Sequence, residues 1–302
     1  MKQFRIFVFT FVFFTFNSVC FSAFQYLEVG ARPLGMAGAY SCIGDDANAP
    51  AWNPAGLAKI QKFEITNMYS VFYPDLIDDL GLSYISAAYP LKKYGSAGIS
   101  IIEMSAGFYK ENVFCLTYAN ILPFYEKIAI GINIKNMAKK YSETGYTHLD
   151  PTFANGTGAA GYGLDLGMTY KINQRFTCAV TGKNLNEPNI KLVKNDVVPA
   201  EYRFGAAHKY NQYVTLTCDL AAYNKGLNNI FCFGAEGWVP GNRLGVRAGY
   251  SVGDNEYKIM AMGASYKVPL KNAVLQLDYG YVNNLSFSQS PGNHYFSIGV
   301  KF

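Results

Sequence analysis

The sequence predicts an all-β fold: a transmembrane antiparallel β-barrel of about fourteen strands with an N-terminal segment packed in its lumen. Three observations predict it. Apolar and small or polar residues alternate with period two along most of the chain, the mark of strands with two unlike faces. Tyrosine is abundant (24 residues) while charged residues make up only 16% of the chain, against roughly 25% in average proteins. Connections between the alternating segments are short and long in turn. Hydrophobic residues make up 50% of the 302, and the mean hydropathy is +0.03, which excludes a disordered chain. The formal charge is +5, and it falls to +3 (24 basic against 21 acidic) once Lys2 and Arg5 are set aside. That is too small an excess for a basic nucleic-acid binder.

Lys2 and Arg5 precede a Phe-rich apolar stretch from Ile6 to Phe16, and Ser22-Ala23 offers small residues for cleavage. Residues 1–23 therefore read as a secretory signal peptide, cleaved before Phe24 and too short for a spanning helix. Later stretches lack the ~20 consecutive apolar residues that a membrane helix needs. From about residue 62 the chain breaks into alternating segments near 62–71, 80–90, 94–103, 111–121, 127–137, 160–172, 175–184, 201–210, 213–222, 229–239, 243–252, 257–268, 272–282 and 294–302. The clearest places Tyr162, Leu164, Leu166, Met168, Tyr170 and Ile172 on one face, opposite Gly161, Gly163, Asp165, Gly167, Thr169 and Lys171. A face of Gly, Ser, Thr and single charges suits a confined lumen, whereas a sandwich would turn Lys and Glu to bulk water. The domain reading is thus a leader at 1–23, a pre-barrel segment at 24–60 and a barrel at 61–302.

The even connections, such as Leu91-Lys92-Lys93, Asn173-Gln174 and Asn211-Gln212, are short. The odd ones, above all 138–159, 185–200 and 283–293, are mostly longer. Outer-membrane barrels have short periplasmic turns and longer external loops, so the short turns mark the periplasmic end. The last segment, His294 to Phe302, carries Phe296, Ile298, Val300 and Phe302 on one face and ends on an aromatic. A bacterial outer-membrane protein contacting outer-membrane lipid is the expectation.

Residues 24–60 do not alternate. They contain GARPLGMAGAY at 30–40 and GDDANAPAWNPAGLA at 44–58, dominated by small residues that allow close backbone packing. The barrel's inward faces hold Gly131, Gly163, Gly205, Gly245, Gly263 and Gly280, so two small-residue surfaces can nest. On these two runs, the terminal aromatic strand, GAEGWVPGNRLGVRAGY at 234–250 and LDYGYV at 277–282, the chain resembles the PorV/PorQ group of outer-membrane proteins, relatives of the fatty-acid transporter FadL. The resemblance implies a fourteen-stranded barrel with an N-terminal hatch. It carries residues over only into that hatch: Asp45, Asp46, Asn48, Trp52, Asn53, Pro54 and Gly56. Ordinary turn chemistry, in which Asn and Asp side chains accept nearby amides and Pro54 fixes φ, is the alternative for these residues.

Catalytic and metal motifs are absent or out of context. Gly156 to Gly161 matches GxGxxG but precedes a strand rather than opening a helix, which fails the dinucleotide reading. His148, His208 and His294 are isolated, and Asp45-Asp46 lacks EF-hand spacing. The expectation is a non-enzyme without cofactor, metal or nucleic-acid partner. Cys42, Cys115, Cys178, Cys218 and Cys232 form no CxxC and read as small fillers. The alternation turns Lys135, Lys183, Arg203, Lys209 and Arg247 into the lumen together with Asp165, Asp219, Glu236 and Asp278. Such charges mark either a pathway or internal pairs that stiffen the wall and hold the hatch.

Three functions compete. The resemblance implies FadL-like uptake of hydrophobic small molecules through a hatch-gated lumen, with a pocket lined by Met36, Tyr40 and Trp52. It equally implies the PorV/PorQ role in type IX secretion, binding cargo or other components, for which loops 72–79 and 185–200 are the candidate surfaces. A structural or general porin is the third. Short loops offer little docking area, which tilts the sequence reading toward transport.

Overall fold

The computed structural model describes residues 23–24, 27–72, 80–145, 147–224, 229–254, 256–286 and 291–302. The leader up to residue 22 and most of loop 72–79 lie outside the described residues. Fourteen strands form one closed antiparallel barrel: β1 (Glu64–Val71), β2 (Leu80–Pro90), β3 (Ser96–Ala106), β4 (Tyr109–Leu122), β5 (Tyr125–Tyr141), β6 (Gly158–Lys171), β7 (Phe176–Lys183), β8 (Glu201–Lys209), β9 (Val214–Tyr223), β10 (Ile230–Trp238), β11 (Leu244–Gly253), β12 (Lys258–Pro269), β13 (Val274–Asn284) and β14 (Asn293–Lys301). Each strand pairs with its sequence neighbours, and β1 pairs with β14, from Glu64↔Lys301 to Val71↔His294. Closure leaves no open edge, so backbone groups at membrane depth are satisfied within the wall.

Period-two alternation sets the faces. Leu166 and Met168 are exposed on the outside of β6, while Asp165 and Thr169 are buried inside. The same holds on β5, where Ile130 and Ile134 face out and Asn133 and Lys135 face in. Exposed aromatics flank the apolar belt, with Tyr89, Tyr94, Phe124, Tyr125 and Tyr210 near the short turns and Phe108 and Tyr162 toward the other end. This is the girdle pattern of outer-membrane barrels. Two connections at the long-loop end are as short as the turns: β3 and β4 are joined by only Gly107 and Phe108, and β11 and β12 by residues 254–257.

The loop at 184–200 turns back over the lumen instead of standing out from it. Ile190 and Val198 are fully buried, and Lys139 of β5 pairs with Asp196. As a surface for a partner this loop therefore offers less apolar area than its sequence suggests.

Residues 27–60 run through the barrel interior. Two one-turn helices, α1 (Ala31–Leu34) and α2 (Ala49–Trp52), and a 3-10 turn over Pro54–Lys59 are their only regular elements. Such short helices do not stand alone in water; packing against the wall holds them. Phe24 donates its amide to Glu111, near the long-loop end of β4. The 3-10 turn then leads into β1 at the short-turn end, so the segment traverses the lumen from one end to the other.

Candidate functional site

The lumenal segment is held in two ways. Over its second half the fit is steric. A Cβ on Gly131 or Gly167 would collide with Asn53 or Pro54, and one on Gly98 would meet Leu57. Wall glycines elsewhere serve the first half: Gly249 and Gly234 face Met36, Gly205 faces Ser41 and Cys42, and Gly280 faces Ala31. Of the six inward glycines singled out in the sequence, Gly163 and Gly245 do not meet the segment; they lie under Met137 and Trp238.

The first half is also held by charge. Arg32 of α1 donates from Nε and Nη2 to the two carboxylate oxygens of Glu236 on β10, at 2.8 and 2.9 Å. Its Nη1 reaches Asp46 at 2.7 Å, Asp45 at 2.6 Å and the Tyr40 hydroxyl at 3.0 Å. Burial opposes the charge on Arg32, and the carboxylates of Asp45, Glu236 and Asp46 offset that cost. Glu236 also accepts from Arg247 of β11 at 2.8 Å, and Arg247 lies 3.4 Å from Asp278 of β13.

A second cluster centres on Arg203 of β8. It donates to Glu201 at 2.8 Å and to the Gly38 carbonyl at 2.8 Å, and it lies 3.3 Å from Glu28. Its guanidinium and the Lys183 ammonium stand 5.1 and 5.5 Å from the Trp52 ring centroid, within cation–π reach. Asp219 of β9 accepts the amides of Tyr40 and Ser41 and the Ser41 hydroxyl, at 2.9 to 3.2 Å. On the neighbouring strands β5 and β6, Lys135 pairs with Asp165 at 2.6 Å, and Asn133 links Asp165 to the Pro50 carbonyl.

Among the residues assigned to the hatch, Asn53 caps a turn and also bonds to the segment and the wall. Its Oδ1 accepts the Ala55 amide as a turn cap, and its Nδ2 donates to the carbonyls of Ser41 and of Met168 on the adjoining wall strand β6. Asp46 accepts the Asn48 amide, an Asx turn, as well as Arg32. Asn48 is buried with its Oδ1 unpartnered beside Gly30, Pro54 opens the 3-10 turn, and Gly56 packs on the Gly44 backbone. Met36, Tyr40 and Trp52, expected to line a ligand pocket, pack within the segment. All three are fully buried, with Tyr40 edge-on to Trp52 and the Trp52 indole donating to the Val29 carbonyl, and none of them borders the two lumenal cavities. They are packing residues of the segment itself.

Those two cavities lie at opposite ends of the segment. Toward the long loops, about 100 Å³ is bounded by Leu27, Ile102, Val113, Met137 and Val198, with Lys183 and Glu201 at its polar side. At the short-turn end, about 310 Å³ lies between the segment at Cys42, Ile43 and Lys59 and the ends of β5 to β8. Of the nine lumenal charges read from the alternation, eight enter ion pairs within or beside the segment. Among the described residues Lys209 has no ion-pair partner; it is exposed at the mouth of the larger cavity.

Arg32 and Glu28 lie outside the alternating segments, and sequence reasoning misses Glu201, which shares the inward face of β8 with Arg203. The available signal was a single arginine inside a run of Gly, Ala and Pro, a position where an unpaired cation is costly.

No curated protein matches the chain. Among solved structures, the Ralstonia pickettii toluene transporter TbuX superposes with a TM-score of 0.64 at 12% identity, covering 92% of this chain and 99% of that one. The CymD monoaromatic hydrocarbon channel gives 0.63 at 13% identity, with 92% and 98% covered. A Pseudomonas aeruginosa FadL homologue gives 0.62 at 13%, with 91% and 98% covered. At these identities the likeness is one of fold, and it places the barrel among FadL-type architectures. The motif resemblance pointed to the PorV/PorQ group, but the family description that matches is a different one within type IX secretion. The model for "Type IX secretion system membrane protein PorP/SprF" matches residues 47–300, and this outer-membrane barrel belongs to that family.

Proposed function

We propose that the chain serves type IX secretion as a closed barrel, an accessory component that binds other components or cargo and does not conduct through its own lumen. The observation carrying this reading is the filled lumen: residues 27–60 run its length, with Arg32 clamped to Glu236 and Asp46. The space left beside it is split into two separate cavities, about 100 Å³ toward the long loops and about 310 Å³ at the short-turn end, with the segment between them. A PorV/PorQ-like role, with cargo or component binding at the outer membrane, is the specific form that the sequence motifs favour.

Hatch-gated uptake of a hydrophobic small molecule is the second reading. It is favoured by the apolar wall of the smaller cavity, Leu27, Ile102, Val113 and Met137. It requires the segment to move, and so requires the Arg32 pairs to open.

Planar-bilayer recording separates the two. The full chain is expected to be silent, and deletion of residues 30–56 is expected to leave an inserted barrel with stable conductance. A steady conductance from the full chain removes the closed-barrel reading. An inserted deletion mutant that stays silent removes the assignment of the segment as the plug.

A further inference from the structure

The short-turn end of the lumen carries a row of cations that nothing in the plug uses. Lys127, Lys171 and Lys209 are inward positions at the ends of β5, β6 and β8, and Arg175 sits in the turn between β6 and β7. The register sets them side by side. Ile128 pairs with Tyr170, which brings Lys127 opposite Lys171; Lys171 pairs with Thr177; and the Lys209 amide donates to the Arg175 carbonyl at 2.8 Å. All four are exposed, and among the described residues none lies within ion-pair distance of a carboxylate.

Other inward cations at this end have partners. Lys301 pairs with Glu64 at 2.9 Å, Lys267 stands 3.6 Å from the Trp238 ring centroid, and Lys59 donates to the Cys42 and Ile43 carbonyls at 2.7 and 2.8 Å. Three carboxylates border the same cavity, but Asp45 and Glu236 are taken by Arg32, which leaves Glu126 alone against four cations.

We infer that this mouth is a binding site for an acidic peptide segment presented from the short-turn, periplasmic side. Shape and orientation select that ligand. Adjacent strands lie about 4.8 Å apart, so the row across β5 to β8 is about 14 Å long, the length of about four residues of extended chain. A single small anion spans only part of it. Bilayer lipid is on the other side of the wall, since these side chains face the lumen while Tyr170, Phe176 and Tyr210 face outward. The cavity of about 310 Å³ opens between the row and the plug, and the plug's Lys59 lies at its floor. Unpaired like charges in a recess focus the field and favour a complementary chain. The inference goes beyond the closed-barrel reading and does not depend on whether the lumen conducts.

The test uses the full chain in a zwitterionic detergent and a fluorescein-labelled octaglutamate peptide, followed by anisotropy. Binding is expected at low salt and is expected to weaken as salt rises. The combined variant Lys127→Gln, Lys171→Gln, Lys209→Gln should bind at least about tenfold more weakly. The combined variant Lys140→Gln, Lys191→Gln, Lys194→Gln, at the long-loop end, should bind as the parent does. Equal losses in the two variants overturn the inference. So does full displacement of the peptide by inorganic phosphate, or by phosphatidylglycerol micelles, at matched charge. Independently of how the variants fold, carbodiimide cross-linking of the peptide to the unaltered protein should map to Lys127, Lys171 or Lys209 by mass spectrometry. Cross-links confined to other lysines overturn the assignment.

Discussion

Both halves of the lumenal segment are seated against wall glycines, but only the first half adds buried ion pairs. Residues 31–46 are tied by charge: one guanidinium serves three carboxylates, and a second arginine binds the Gly38 carbonyl. Residues 53–60 are tied by shape, with Asn53 and Pro54 seated against wall glycines on β5 and β6. A charge anchor is strong but conditional, because each buried ion has been desolvated and depends on its partner. A steric anchor has no such switch; it fails only when atoms are added or removed. Opening the ion pairs therefore loosens only the first half, which wall glycines still seat.

Mutations can break this contrast, and the first is the most severe. Arg32→Met removes the shared cation and leaves Glu236 and Asp46 buried, with only Arg247 still on Glu236. It should cost about 3–5 kcal/mol, read as a lower urea midpoint for loss of heat-modifiable mobility on gels. If the cost is below 1 kcal/mol, charge is not what holds the first half. Gly131→Val drives a side chain into Pro54 and should cost about 1–3 kcal/mol by the same assay, with no dependence on salt. Asp45→Asn sharpens the charge side. The Asp45 side chain is 49% exposed against 8% for Asp46, so its loss should cost under about 1 kcal/mol and fade in high salt. A large, salt-insensitive cost would mean that Asp45 rather than Asp46 completes the clamp.

How much of this was legible in the sequence follows from the range of each signal. The strands are local: a period-two pattern needs only its own residues, and all fourteen alternating segments correspond to strands in the structure. Loop lengths are nearly local, and the short–long alternation fails only at the β3–β4 and β11–β12 connections. The clamp is not local at all. Arg32 and Glu236 are 204 residues apart, and no periodicity links a charge in a Gly-rich run to one on a distant strand. The alternation could say that Glu236 and Arg247 face inward, but not that an arginine outside the barrel's pattern would meet them. Met36, Tyr40 and Trp52 show the converse. Large residues among small ones suggest a pocket, yet the same residues are what a narrow lumen needs to fill itself.

Strand pairing also sets an order of events in the making of this molecule. The segment passes along the lumen from Phe24, bonded to Glu111 near one rim, to Lys59 at the other, and then becomes β1. β1 is also one of the two strands that close the ring, by eight registered pairs with β14. Once those pairs are made, drawing 30 or so residues into the lumen would mean threading a chain through a finished tube, which proteins avoid. The inner chain must therefore be in place, or carried in by the curling sheet, before the first and last strands meet. The glycines on the inner wall are then a template on which the barrel is wrapped as much as a seat for a finished part. Variants that loosen the segment should therefore show themselves first as slow or failed ring closure during biogenesis.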